Sequence, residues 1–75
     1  MNYFDRIESN PKIMLGKPVI KGTRITVESV LRKIAGGYSF GEILEMHPHL
    51  NMADILAAVG YAVAVLEGEE MLKSA

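Results

Sequence analysis

The chain contains no cysteine. That absence removes disulfides, thiolate-ligated zinc, iron–sulfur clusters and a thiol nucleophile together. No apolar run approaches the roughly 18 residues of a membrane-spanning helix. The first residues, Met1-Asn2-Tyr3-Phe4-Asp5-Arg6, lack the basic-then-apolar order of an export signal, so a cytoplasmic protein with no membrane contact is expected. Aromatic residues are few, and Tyr3, Phe4, Tyr38, Phe40 and Tyr61 are too dispersed for a base-stacking platform; they read as packing residues.

Recognisable catalytic and cofactor patterns are missing too. The G-x-x-x-x-G-K-[ST] phosphate loop fails, because Lys21 stands where its second glycine is needed and Arg24 follows Gly22-Thr23. His47 and His49 flank Pro48 without a convincing third ligand, so no metal is expected. Ser9, Ser29, Ser39 and Ser74 sit like loop or cap residues, with no evident base and orienting acid. No cofactor and no enzymatic activity are expected; the chain reads as a binding protein.

What is present is a hydrophobic fraction of 49 % against 23 % charged residues in 75 residues, a globular composition and a single domain over 1–75. A domain of this size buries only about 60 % of its unfolded surface. With disulfides excluded, another chain is the natural source of extra stability, and a homo-oligomer, a dimer first, is expected. The net charge of −1 hides an asymmetry. Residues 1–33 carry seven basic and three acidic groups, +4 in all, whereas residues 34–75 carry one basic and six acidic groups, −5 in all. Contact with nucleic-acid phosphates, if made, belongs to Lys17, Lys21, Arg24, Arg32 and Lys33. The plainer alternative is that these side chains solubilise one end of the domain.

Short strands and turns are predicted over residues 3–26, where Ile13-Met14 and Val19-Ile20 lie between Asn10-Pro11, Gly16-Lys17-Pro18 and Gly22. Their edges would offer a dimer seam. Gly22 reads as a turn or bulge, with Thr23 satisfying nearby backbone. Three helices follow over 27–68, and 69–75 forms a tail. Val27, Val30, Leu31, Ile34 and Ala35 make one face of the first helix, capped by Thr26 and stopped at Gly36-Gly37. Ser39 and Glu42 form a capping box for a brief second helix that buries Phe40, Ile43 and Leu44 and ends at His47-Pro48. Asn51, with Asp54 three residues on, caps a third helix that runs to Gly68. The pattern is mainly α: a three-helix, helix-turn-helix domain behind a small β region.

The third helix is unusual. A major-groove helix offers Arg, Lys, Asn or Gln to base edges, yet Met52 to Leu66 holds one charged residue, Asp54, and no basic one. Ile55, Leu56, Val59, Val63 and Leu66 suggest an inward stripe. The remaining sides are also apolar or small, more than three helices can cover. Ala53, Ala57, Gly60 and Ala64 recur at helical spacing as a strip that another helix could approach closely. With Val65, Met71 and Leu72 they are the candidate protein interface.

The run Asn10-Pro11-Lys12-Ile13-Met14-Leu15-Gly16-Lys17-Pro18-Val19-Ile20-Lys21-Gly22-Thr23-Arg24-Ile25-Thr26-Val27 resembles the hallmark of a small prokaryotic family, the domain of unknown function 433. Gly37-Tyr38-Ser39, Glu42-Ile43-Leu44, His47-Pro48-His49-Leu50, Asp54-Ile55, Ala57-Ala58 and Tyr61-Ala62 extend the resemblance over nearly the whole chain. It implies a homeodomain-like three-helix fold and an antitoxin-like role. In that role the chain would neutralise a cognate toxin, often a PIN-like ribonuclease, and repress its own operator DNA. Leu15 departs from the glycine of many relatives, which bears on the turn. A stand-alone helix-turn-helix transcriptional regulator is the alternative, and a purely structural oligomer a third.

Overall fold

The computed structural model of the chain describes residues 5–68. Tyr3, Phe4 and the tail with Met71 and Leu72 lie outside the described residues. The order is β1 (Ile7–Glu8), a turn at Met14–Gly16, β2 (Val19–Ile20), α1 (Val27–Ala35), α2 (Phe40–Met46) and α3 (Met52–Leu66). The expected plan of a small β region followed by three helices is the observed one.

β1 pairs antiparallel with β2, Ile7 opposite Ile20 and Glu8 opposite Val19. The other edge of β2 is occupied as well. Val19 bridges Thr26, the Ile20 N–H donates to the Ile25 carbonyl at 2.9 Å, and the Val27 N–H donates to that of Pro18 at 2.9 Å. β2 is thus a central strand, and Val19 and Ile20 are both buried although they point to opposite faces. With both edges filled, β2 has no backbone to lend to a dimer seam.

The turn after β2 follows the sequence reading. The Thr23 N–H donates to the Ile20 carbonyl, and Gly22 has φ +81°, the left-handed value required at the third position of a type II turn. Thr23 Oγ1 donates to the Ile20 carbonyl at 2.8 Å and accepts from the Ile25 N–H at 2.9 Å, closing the loop from within. The earlier turn is more strained. Met14 and Leu15 have φ of +51° and +60°, values that cost a residue with a Cβ about 1–2 kcal/mol. Glycine relieves this at no steric cost, which explains why residue 15 suits a glycine.

Each helix begins where its cap predicts. The Thr26 hydroxyl accepts from the Ser29 N–H, and complete capping boxes link Ser39 with Glu42 and Asn51 with Asp54. The core is built from Ile20, Val27, Val30, Ile43, Leu50, Ile55 and Ala58, with Leu31, Ile34, Phe40, Leu44 and Tyr61 packed against it.

α3 faces the core differently from expectation. Ile55 is buried, but Leu56, Val63 and Leu66 are 42 %, 48 % and 83 % exposed. Ala57 and Ala64, from the strip expected to meet a second chain, are 0 % and 3 % exposed within the chain's own fold. The physical reason is volume complementarity. α1 already fills the interior with Val27, Val30, Leu31 and Ile34, so α3 approaches with alanines and turns larger side chains outward.

Candidate functional site

α1 and the C-terminal half of α3 leave a groove of about 550 Å³ between them. Val27, Leu31 and Ala35 line one wall, and Tyr61, Ala62, Val65 and Leu66 the other. α1 places Leu31 and Ala35 here because they continue, one turn apart, the stripe that begins at Val27. Glu28 and Arg32 stand at the rim. The Glu28 carboxylate accepts from Arg32 Nη2 at 2.7 Å and from Lys17 Nζ at 3.2 Å. Arg32, then Lys17, hold this carboxyl below its ordinary pKa. The rim therefore carries paired charges of both signs beside an apolar floor. Such a surface can bind protein: the floor supplies desolvation energy and the rim supplies register.

The five basic residues read as DNA contacts do not act as one patch. Lys17 and Arg32 share Glu28, and Lys33 Nζ donates to Ser29 Oγ at 3.2 Å. Lys21 and Arg24 are exposed on the turn after β2, with no ion pair among the described residues. Of the candidate interface residues, Ala57 and Ala64 are covered, Ala53 and Gly60 are half-buried, and Val65 lines the groove. Two features depart from the sequence reading. Leu56, Val59, Val63 and Leu66, read there as part of an inward stripe, lie with Met52 along one largely uncovered side of α3 at 4-3-4-3 spacing. Leu15 is 92 % exposed at the strained turn, and nothing in its local sequence announces that.

At the end of α2, His47 Nε2 is buried with no hydrogen-bond partner among the described residues. Burial, then Lys33, then His49 lower the His47 pKa. The folded chain takes up this proton less readily than the unfolded chain, so stability is complete above about pH 6.5 and falls as the pH drops through and below that value. Chemical denaturation at pH 7.5 and 5.5 is expected to show this loss, and His47→Gln is expected to flatten it. The Glu28 carboxyl is lost in a lower window, beneath its ordinary value near 4.5, which keeps the two effects apart. Among the described residues no three His, Cys, Asp or Glu side chains converge as a metal site, and no helix is long and apolar enough to cross a membrane.

The chain belongs to the family described as "Protein of unknown function (DUF433)", whose model matches residues 7–62, from β1 into the second half of α3. It is 40 % identical over 58 residues to "Uncharacterized protein y4eO" of Sinorhizobium fredii (strain NBRC 101917 / NGR234), an alignment covering 77 % of this chain and 26 % of that protein. The chain thus spans about a quarter of the length of this curated relative. No solved structure matches it.

Proposed function

We propose that the chain is a non-catalytic, antitoxin-type protein that binds and silences a partner toxin, with a PIN-like ribonuclease as the leading partner class, and that represses its own operon. The observation that carries this reading is the apolar groove between α1 and α3 with its paired Glu28–Arg32 rim. An apolar helix or strand of a partner would bury its side chains between Leu31, Ala35, Ala62 and Val65, of which Val65 belongs to the interface read from the sequence. The choice of partner class rests on the antitoxin-like role that the sequence resemblance implies.

The test is co-expression with the product of the neighbouring gene. The parent chain is expected to co-purify with it and to rescue growth. Ala35→Glu together with Val65→Glu places two carboxylates on the groove floor and is expected to weaken capture by about 100-fold or more. Absence of a complex and of growth rescue with the parent chain would overturn the reading.

Stand-alone DNA binding is the second reading, favoured by the exposed cations Lys21 and Arg24, which have no ion pair among the described residues. α3 offers no basic side chain to a groove, so such binding would be mainly to phosphates and strongly salt-dependent. Promoter binding by the groove variant at undiminished affinity would separate the two activities.

A further inference from the structure

The outer side of α3 is a second apolar surface, distinct from the groove except at Leu66. Met52, Leu56, Val59 and Val63 fall within about 60° of one another around the helix, and Leu66 continues the row. Their spacing is that of the a and d positions of a heptad repeat, held over two heptads. Ala53 and Gly60 flank the row on one side; on the other stand Ala62 and Ile55, the latter buried in the chain's own core. The row itself carries no charge; Glu67 follows it only at the C-cap, beyond Leu66. Asp54, the one charged residue of α3, is buried on the far side, where it accepts from Arg6 and from the Asn51 N–H.

We propose that α3 is a dimerisation helix and that its occupant is the α3 of a second copy, packed row against row across a two-fold axis. Three observations favour a second copy over a different protein. Heptad knobs need holes made by four residues of similar spacing, and the same row supplies them. The row has no charge to repel its own image and no polar group to select a foreign one. A two-fold contact also closes on itself, covering in each copy an apolar stripe that would otherwise invite open-ended association. This inference stands apart from the toxin reading, and it leaves most of each groove open. If both readings hold, the assembly binds two toxin molecules.

Sedimentation equilibrium of the full chain tests it. A reversible monomer–dimer equilibrium in the micromolar range is expected, since two heptads give a contact at the small end of specific interfaces. Leu56→Glu with Val63→Glu is expected to weaken dimerisation by about 100-fold or more. Its circular dichroism in dilute solution is expected to match the parent's, because both side chains are already half exposed. Val59 lies midway along Met52–Leu66, so two helices crossing at their centres bring Val59 beside its counterpart in either relative direction. In this cysteine-free chain, Val59→Cys is therefore expected to form a disulfide-linked dimer under mild oxidation, and Ala35→Cys is not. This readout serves even if the glutamate variant fails to fold. A parent chain that stays monomeric at millimolar concentration, a dimer that survives both glutamates, or equal cross-linking by the two cysteine variants would overturn the proposal.

Discussion

An Asp54→Ala variant is expected to melt about 15 °C below the parent chain. Asp54 performs two tasks with one buried carboxylate. Its Oδ2 accepts from the Asn51 N–H at 3.0 Å, completing the capping box that starts α3, and its Oδ1 accepts from Arg6 Nη1 at 3.0 Å. Removing a helix cap costs about 0.5–2 kcal/mol. Breaking a fully buried ion pair costs about 3–5 kcal/mol, but the Arg6 side chain is 41 % exposed and can turn to water, so the loss falls below that range, at about 1–2 kcal/mol. A combined cost of about 3 kcal/mol is severe for a 75-residue domain, whose whole stability is on the order of 4–11 kcal/mol. Asp54→Asn retains a side-chain oxygen for the cap and is expected to lose about half as much. A thermal melt of the three proteins, with Arg6→Ala and the Arg6→Ala/Asp54→Ala double variant to complete a double-mutant cycle, measures the coupling directly. A shift below about 4 °C for Asp54→Ala, under 1 kcal/mol, would show that neither contact carries weight.

The functional consequence reaches the groove. Arg6 belongs to the segment leading into β1, and Asp54 to the first turn of α3, so their pair fixes the end of α3 away from the groove. Loosening that end shifts the line along which α3 lies on α1 and changes the spacing between Leu31 and Val65. Asp54→Ala is therefore expected to weaken partner capture although it touches no groove residue. Ala35→Glu with Val65→Glu acts at the floor and leaves the melting temperature nearly unchanged, which distinguishes the two routes.

Asp54 also marks the boundary between what the sequence displays and what it conceals. Its capping role is local chemistry between Asn51 and a residue three positions on, and it is legible without a structure. So are Thr26, the Ser39–Glu42 box and the Gly22-Thr23 turn, and helix starts follow from such contacts. The partner 48 positions away, Arg6, is set by tertiary approach alone. The same holds at the groove. Glu28 and Arg32 are visible neighbours on one helix, whereas Lys17 joins them only after the β region folds back. Counting charges along the chain places Lys17 and Arg32 in a basic half; the structure pairs both with the one carboxylate of Glu28. The orientation of α3 is the feature the sequence conceals most. A helix apolar on every side has no polar face to declare which way is out, and the choice passes to the shape of α1.

Moving one isobutyl group by a single residue tests that orientation. Ala57→Leu is expected to lower the melting temperature by about 15 °C. Ala57 is fully covered in the chain's own fold, so three added carbons must displace packed neighbours, at about 1–3 kcal/mol or more. Leu56→Ala removes the same three carbons one position away, from a half-exposed site, and is expected to cost the monomer under about 1 kcal/mol. The double exchange, Leu56→Ala with Ala57→Leu, keeps composition, charge and helix propensity essentially constant. It is nevertheless expected to be as unstable as Ala57→Leu alone, because only the direction of the side chain has changed. If the alanine strip were instead a solvent-facing contact for another chain, Ala57→Leu would leave the dilute monomer stable and alter only its association. Melting curves of the three variants at low concentration separate the two arrangements, and a stable Ala57→Leu monomer would require α3 to be turned about its axis from the position described.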